Sequence, residues 1–365
     1  MQNSIIQHRE SARSVPWRSL GPPERILALR LQALGDVIIT LPYLQALRKS
    51  LPSASFHFLT REEFCDIPKA TKLFDRVFTL GGGRDVKCQF MKALALVPSL
   101  RKERYDIVID LQRNSLSRMV RWIIHPAAYS EFDRFSPSPA GERTGSTIEK
   151  LGLPPTPGLP PGLALPGTAR GPEKPDDRNY HPANNLIILN PAGNWVTKNW
   201  PLENYSIFAK GWIERVDRDA RFLMLGVDMM RDKAAYLKLR LGDRLISLVG
   251  ETSQSEALAM VQRARLVISE DSAIMHMAWV SKVPVVALFG STKSVWSKPL
   301  GPWSVYLDSS DLECGACSRP ACRFGDVRCL ARRSPDLVIE TASELLRKKD
   351  AAESEGACAT DQPSL

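Results

Sequence analysis

The sequence predicts an α/β protein built from two doubly wound units, and three observations carry this prediction. Short apolar runs of strand length alternate with stretches of helical periodicity, which is the pattern of parallel sheets with helical crossovers. The alternation occurs twice, on either side of a Pro- and Gly-rich stretch at residues 136–182. The chain also has 365 residues, more than the ~250–300 that one hydrophobic core usually holds.

The first unit is predicted at residues 25–150, after a polar, flexible N-terminal extension at residues 1–24 that lacks the apolar core of a secretory signal. Its apolar runs are bounded by polar or turn-forming residues, as buried parallel strands are. The predicted elements are strands at 25–31, 55–59 and 105–111 and helices at 37–49 and 85–102.

The second unit is predicted at residues 184–334, separated from the first by a Pro/Gly-rich linker at residues 151–183. A closing helix at residues 335–349 and a disordered tail at residues 350–365 complete the chain. The predicted strands are 185–190, 220–225, 245–248, 265–269 and 283–289. The predicted helices are 202–216, 228–240, 254–263 and 272–281.

Composition and charge narrow the class of protein. Apolar runs such as residues 283–289 are far shorter than the ~20 residues of a membrane-spanning helix, so no span is expected. Residues 1–150 contain 23 Lys and Arg against 15 Asp and Glu, a net charge of +8, whereas the rest contains 26 against 25, or +1. This asymmetry predicts an anionic partner for the first unit: a phosphorylated glycolipid, an anionic membrane surface or nucleic acid. A basic surface that only maintains solubility explains it equally well.

Ligands of doubly wound sheets bind beyond the carboxyl ends of the strands, so the loops there are the candidate sites. The first such loop contains Gly35, which permits a tight turn, and Asp36. The Asp36 carboxylate is a candidate general base toward an acceptor hydroxyl. Asp is also a favoured helix N-cap, and the spacing alone favours that interpretation.

The loop at residues 190–201 follows the first strand of the second unit and has the composition of a phosphate cradle. Gly193 and Asn194 leave backbone N–H groups accessible, and Thr197 and Lys198 add a hydroxyl and a cation. The spacing of a Walker motif is missing. A plain loop with an exposed lysine therefore remains an alternative.

The junction at residues 269–276 places Asp271 and Ser272 where a strand ends and a helix begins. A helix N-terminus offers N–H donors and a positive dipole end to a phosphate. His276 lies four residues after Ser272 on the same helix face. The alternative is a capping residue followed by a buried core histidine. A similar junction at residues 289–293 is weaker.

Four of the seven cysteines, Cys314, Cys317, Cys322 and Cys329, follow the spacing C-x2-C-x4-C-x6-C. Without an export signal, disulfides are not expected. The spacing suits a structural Zn site or, less readily, an Fe–S site. Unligated thiols in an ordered loop are the alternative.

Three segments together resemble a known family. Residues 26–42, 190–201 and 266–302 match, in order and spacing, the bacterial ADP-heptose–lipopolysaccharide heptosyltransferases of glycosyltransferase family 9. The likeness runs from residue 25 to residue 347. It implies a GT-B fold, with two Rossmann-like doubly wound domains facing a central cleft. The acceptor would bind to the N-terminal domain and the nucleotide sugar to the C-terminal domain.

The resemblance also implies an inverting transfer that requires no cofactor or metal. By position, Asp36 would be the base beside Gly35 on the acceptor side. The donor and its phosphates would be held by Gly193, Asn194, Thr197, Lys198, Asp271, Ser272 and His276. Relatives often carry a Glu near the nucleoside, where this chain has Asp228 and Asp232 instead.

The expected function is transfer of a heptose or similar sugar from ADP-heptose to the lipopolysaccharide core or a related surface glycan. The expected partners are the nucleotide-sugar donor, an anionic glycolipid acceptor and the cytoplasmic surface of the inner membrane, to which a monomeric enzyme would bind peripherally. A GT-B-fold nucleotide-sugar epimerase is one alternative. A basic, nucleic-acid-binding α/β protein is another, although the basic residues are dispersed and no nucleic-acid-binding module is recognisable, so no nucleic acid is expected.

Overall fold

The structure is a computed structural model that describes residues 11–153, 162–163 and 185–360. The chain forms two compact units, Met1–Pro161 and Gly162–Leu365. Most of the linker predicted at residues 151–183 lies outside the described residues. In the part of the chain that is described, each unit contains one six-stranded sheet.

The first unit alternates strands and helices, as its apolar runs predict. Its strands are β1 (Ser14–Val15), β2 (Arg25–Leu29), β3 (Ser55–Arg61), β4 (Arg76–Leu80), β5 (Ile107–Asp110) and β6 (Ala128–Glu131). Its helices are α1 (Leu34–Ser50), α2 (Asp66–Ala70), α3 (Val86–Lys102), α4 (Ser115–Ile124) and α5 (Ala140–Glu149).

The first sheet has the strand order β1-β6-β5-β2-β3-β4, with β2 to β6 parallel. The order reverses between β2 and β5, where Leu29 lies beside Asp110. Ser14 pairs with Ser130, so β1 is an antiparallel edge strand. Residues 14–15 therefore differ from the flexible extension expected at residues 1–24, because backbone pairing of so short a segment leaves no periodicity to detect.

The second unit repeats the pattern. Its strands are β7 (Leu186–Asn190), β8 (Arg221–Met224), β9 (Leu245–Ser247), β10 (Leu266–Glu270), β11 (Val285–Leu288) and β12 (Ser304–Leu307). Its helices are α6 (Leu202–Arg215), α7 (Arg231–Leu241), α8 (Gln254–Gln262), α9 (Ala273–Val280), α10 (Ser294–Ser297), α11 (Arg328–Ala331) and α12 (Pro335–Thr360).

The second sheet is entirely parallel in the order β12-β11-β10-β7-β8-β9, which is the Rossmann order. The order reverses between β7 and β10, and Asn190 at the end of β7 lies beside Ser269. The core between this sheet and α6 and α12 is rich in buried aromatic side chains, among them Trp200, Tyr205, Phe208 and Trp212. Two Rossmann-like units are therefore confirmed.

The last helix is longer than predicted. It continues to Thr360, past the predicted end at residue 349, so residues 350–360 are helical and the predicted disordered tail is wrong there. The segment is rich in Ala and Glu, which favour helix. Across the described residues, no helix is both long and apolar enough to cross a membrane.

Candidate active site

A single buried carboxylate, Glu270, fixes the loop between β7 and α6. Its Oε2 accepts a hydrogen bond from the Gly193 N–H at 2.6 Å, and its Oε1 accepts one from the Trp200 N–H at 2.7 Å. The Tyr205 hydroxyl lies 3.3 Å from Oε1. Burial raises the pKa of Glu270 to about 7, although the Gly193 N–H and the Lys233 charge act in the opposite direction. Both ends of the loop are therefore attached to the end of β10.

Gly193 is required where it stands because of this close approach. A Cβ added to it would lie 2.8 Å from Glu270 Oε2 and 2.8 Å from the Lys198 carbonyl oxygen. The two contacts leave no space for a side chain, so the backbone of the loop can fold against the strand end only with glycine here.

Lys198 and Asp271 join the two predicted donor loops. Lys198 Nζ lies 2.8 Å from Asp271 Oδ2, and both side chains are mostly buried. Thr292 Oγ1 donates to the same Asp271 oxygen at 3.0 Å, and Ser297 Oγ donates to the other at 3.4 Å. The loop after β11, which the sequence indicates only weakly, thus contributes to the same cluster.

Ser272 is the N-cap residue of α9, and its hydroxyl is oriented by Asn190. Asn190 Nδ2 donates to Ser272 Oγ at 2.6 Å and to Ser269 Oγ at 2.8 Å. His276 is buried in α9, where the Trp279 indole N–H donates to its Nδ1 at 3.1 Å. The start of α9 is thus fixed to the end of β7, whereas the His276 side chain is buried beside Trp279.

Two residues of the predicted phosphate loop have different surroundings from the rest. Asn194 is exposed. Thr197 is buried, its hydroxyl donates to the Arg319 carbonyl at 2.5 Å, and it accepts from Ser291 Oγ at 2.9 Å. The Thr197 hydroxyl therefore connects the loop to the cysteine segment, and this geometry gives no support to the predicted phosphate contact.

The four clustered cysteines line one pocket of about 300 Å³, together with Thr197 and Arg319 among others. Cys329 Sγ lies 3.7 Å from the Thr197 carbonyl oxygen. Within the described residues, no group of three or more His, Cys, Asp or Glu side chains is arranged to hold a metal ion. The Zn or Fe–S site predicted at Cys314, Cys317, Cys322 and Cys329 is therefore not supported: the spacing brings the thiols to one pocket without forming a ligand set.

The predicted nucleoside end lies in the turn after β8. Asp228 is exposed and pairs with Arg231 at 2.6 Å, and Asp232 is exposed at the start of α7. Gly250 has φ +75°, and a Cβ there would lie 2.0 Å from Asp228 Oδ1. The Asp228 turn is therefore packed against the turn after β9.

Lys233 connects the start of α7 to the phosphate loop. Its Nζ donates to the Pro191 carbonyl at 2.7 Å and to Asn199 Oδ1 at 2.7 Å. Burial lowers its pKa, against the opposing effect of Glu270. The sequence does not single out this lysine.

In the first unit, Asp36 occupies the first turn of α1, one residue after Gly35. Its Oδ2 accepts from the Ala33 N–H at 3.0 Å and lies 2.7 Å from Arg30 Nη2. The side chain of Asp36 is 38% exposed, whereas that of Arg30 is 8% exposed. Asp36 therefore bonds to the N-cap residue rather than being one, and it keeps access to solvent.

Two buried arginines flank a ring near Asp36. The guanidinium of Arg30 lies 5.1 Å and that of Arg143 lies 4.9 Å from the centre of the Phe132 ring. Burial and then the Arg30 charge lower the pKa of Arg143, while Asp36 and Asp133 oppose this. The surroundings of the Asp36 carboxylate are therefore basic.

Asp110 connects the loops at the reversal point of the first sheet. It is fully buried and accepts from the Arg113 N–H at 2.8 Å and from Ser117 Oγ at 2.9 Å. Gln112 Oε1, two residues on, accepts from the Leu31 and Gln32 N–H groups at 3.0 and 3.1 Å. Burial raises the pKa of Asp110, although the hydrogen bonds that Asp110 accepts from Arg113 and Ser117 oppose it.

Several residues of these sites are missed by sequence reasoning, and three of them share a signal. Asn190, Glu270 and Asp110 each end a mostly apolar strand. A polar residue there is unusual because it is buried with the strand, and it must find partners in the adjoining loop. That signal identifies them, but it does not reveal Arg30 or Arg143.

Two Rossmann-like units with polar clusters at both strand reversal points are typical of α/β enzymes that bind nucleotides. Residues 162–328 match the family model of glycosyltransferase family 9 (heptosyltransferase). This match lies within the second unit, and the chain is a glycosyltransferase similar to this family.

Known heptosyltransferases are similar to this chain along most of its length. Lipopolysaccharide heptosyltransferase 1 of Pseudomonas aeruginosa is 24% identical over 82% of this chain and 88% of its own. The solved family 9 glycosyltransferase of Veillonella parvula is 22% identical, with a TM-score of 0.74 over 89% of this chain and 97% of that one. The E. coli heptosyltransferase WaaC, solved with ADP-2-deoxy-2-fluoro heptose, is 18% identical, with a TM-score of 0.61 over 88% and 99%. The structures confirm the fold class.

Proposed function

We propose that this glycosyltransferase moves a heptose from ADP-heptose to an acidic lipopolysaccharide core or related surface glycan, with inversion and without a metal ion. The observation that carries the proposal is the joining of two donor loops at the reversal point of the second sheet, through Glu270 and the Lys198–Asp271 pair. The choice of donor is supported by the E. coli relative that was solved with an ADP-linked fluoroheptose.

The donor site would stabilise the departing diphosphate with fixed positive charge. Lys198 supplies a cation whose position is set by Asp271. The N-terminus of α9, where Ser272 is the N-cap residue without a side-chain capping bond, presents backbone N–H groups and the positive end of the helix dipole. Donors fixed in advance stabilise developing charge strongly, and we propose that they act here in place of a divalent cation.

Asp36 would act on the acceptor. Its carboxylate takes the proton of the attacking hydroxyl as that oxygen bonds to the anomeric carbon, and the bond from that carbon to the diphosphate breaks on the opposite face. ADP leaves with the bonding electron pair. Arg30 orients Asp36 at 2.7 Å and, with Arg143, favours an acidic acceptor beside it.

The substitution Asp36→Asn tests the role of the base. It keeps the size of the side chain and an acceptor for the Ala33 N–H, and it should lower kcat by about a thousandfold. Donor affinity, measured by calorimetry with ADP-heptose, should be unchanged because Asp36 belongs to the first unit.

The matched control is Asp85→Asn, at the N-cap of α3 in the same unit, which should retain activity. Wild-type turnover in Asp36→Asn, with circular dichroism showing a folded protein, contradicts the base role. A donor screen with ADP-, UDP- and GDP-linked sugars tests the nucleotide. Sugar conversion that proceeds without any acceptor indicates the epimerase alternative instead.

We place the enzyme in the cytoplasm, peripherally on the inner membrane, because its proposed acceptor is anchored in lipid. The net charge of +8 on residues 1–150 supports attraction to an anionic surface.

A further inference from the structure

Helix α3 has apolar side chains on both of its faces. One face packs Ala93, Val97 and Leu100 into the core of the first unit. The opposite face is in solvent, and there the exposed fractions of Met91 and Leu94 are 72% and 52%. A helix that packs against a sheet normally turns a polar face outward, so the outer face of α3 requires an explanation.

The outer residues form one continuous stripe. Lys87, Met91, Leu94, Pro98 and Lys102 follow each other at intervals of three or four residues, and all five are exposed. We call this stripe the α3 face. Its apolar centre has a lysine at each end, over a helix that is about 25 Å long. Long lysine stems extend along an apolar layer while their ammonium groups reach the surrounding polar region.

The charge around the α3 face is predominantly positive. The segment at residues 84–104 contains six basic residues, Arg84, Lys87, Lys92, Arg101, Lys102 and Arg104, against Asp85 and Glu103. Both acids have other partners: Asp85 caps the helix, and Glu103 pairs with Arg76 at 3.0 Å. A cluster of basic residues around an exposed apolar stripe matches an anionic lipid surface, which offers phosphates above an apolar layer.

The neighbouring helix also exposes an aromatic side chain. Trp122 of α4 is 77% exposed, and α4 packs against α3. Tryptophan is enriched at the interface between lipid and water, where an apolar ring with one N–H group is well solvated.

We propose that the α3 face binds an anionic lipid surface, with Met91, Leu94 and Pro98 entering the headgroup layer and the surrounding basic residues contacting the phosphates. The inference deepens the proposed function, since it identifies the surface by which a transferase would reach a lipid-anchored acceptor. It rests on that function for its biological purpose only, because lipid binding itself needs neither donor nor acceptor.

The test is cosedimentation of the full chain with vesicles that contain neither substrate. The protein should bind to vesicles of phosphatidylcholine mixed with phosphatidylglycerol much more than to phosphatidylcholine alone, and added salt should weaken the binding. The double substitution Met91→Glu/Leu94→Glu should reduce binding by at least about tenfold, because two apolar side chains lose their burial and two negative charges are added. The matched control is Leu239→Glu, at an 84% exposed leucine of α7 in the second unit, which should bind like the wild type.

Each outcome decides the proposal independently of the sugar transfer. Circular dichroism and the midpoint of urea denaturation show whether the double variant is folded. A folded double variant that binds anionic vesicles like the wild type overturns the proposal, as does equal binding to both vesicle types. A sedimentation-velocity experiment in which the double substitution dissolves a dimer, with no vesicle binding by the wild type, assigns the face to a second copy and also overturns it. Absence of transferase activity together with the expected vesicle binding would reject only the proposed function.

Discussion

Glu270 is the single residue on which the geometry of the donor loop depends most. One carboxylate receives the N–H groups of Gly193 and Trp200, at the two ends of the segment that carries Lys198. It touches none of the proposed reacting groups, so it is a positioning residue. Since burial raises its pKa to about 7, the strength of this attachment should change within the physiological pH range.

The substitution Glu270→Gln tests this dependence. Above about pH 7 the wild-type carboxylate accepts both N–H groups, whereas below it a proton occupies one acceptor position, so KM for the donor should rise as the pH falls through 7. Above about pH 7, the donor KM of the variant should be about tenfold higher than that of the wild type, because the hydrogen bonds to a charged group are lost. The pH profile of the variant should show no inflection near pH 7. Donor KM and kcat, measured from about pH 5.5 to about pH 8.5 so that the range brackets this pKa, give the answer.

A stability measurement separates this role from a general loss of packing. The unfolded carboxyl ionises near the ordinary pKa of 4.5, and the native one holds its proton until about 7, so wild-type stability should fall as pH rises between these values. Glu270→Gln should remove that fall, while Glu203→Gln, an exposed position on α6, should keep both profiles. An unchanged donor KM profile in Glu270→Gln contradicts the positioning role.

Among the strands and helices, the sequence predicts those that have a clear apolar run or a helical repeat. Long apolar runs and helical repeats identify β2, β3, β5 and most of the second sheet, and the strand ends direct attention to the loops carrying Lys198 and Asp271. Strands β4, β6 and β12 are missed because their short, partly polar sequences resemble loops.

The parts of the site that the sequence does not predict depend on contacts between residues far apart in the chain. The bond from Gly193 to Glu270 joins residues 77 positions apart. The Thr197 hydroxyl is attractive for phosphate by composition, yet its partner is the carbonyl of Arg319, 122 positions away. Such partners are set by how the crossovers pack, so the loop is predictable and the direction of each side chain in it is not.

The loops after β7 and β11 approach each other so closely that the contact leaves no space for a side chain at Gly290. A Cβ at Gly290 would lie 2.0 Å from the Thr197 carbonyl oxygen, which accepts the Ser291 N–H at 3.0 Å. The substitution Gly290→Ala should therefore lower the free energy of unfolding by about 1–3 kcal/mol through overpacking and raise KM for the donor. Urea denaturation gives the first quantity, with Gly21→Ala as control, since nothing lies within 4 Å of a Cβ there. An unchanged midpoint for Gly290→Ala would show that the two loops separate easily.

For the molecule as a whole, the main feature is the unequal division of charge. Residues 1–150 have a net charge of +8 and the remainder +1. An unequal distribution of charge affects the rate at which charged partners associate with a protein, and it has less effect on the fold. The two substrates should therefore respond differently to ionic strength.

Added salt should raise KM for an acidic acceptor more steeply than KM for the donor. The acceptor approaches the basic unit through a field that salt screens over ~10 Å at 0.1 M, whereas the donor cation Lys198 is mostly buried beside Asp271. Steady-state kinetics with a soluble, delipidated acceptor at several salt concentrations measures both slopes without contributions from lipid. Equal slopes for the two substrates would contradict a steering role for the first unit.

The two-residue strand β1 has a consequence for N-terminal truncation of this protein. It lies against the outer side of β6, where Ser14 pairs with Ser130, and the adjacent Trp17 N–H bonds to the Leu151 carbonyl. A sheet edge left open is a template on which another chain can add a strand. A chain that begins at residue 25 would leave the outer side of β6 unpaired, so we expect it to self-associate more readily than the full chain.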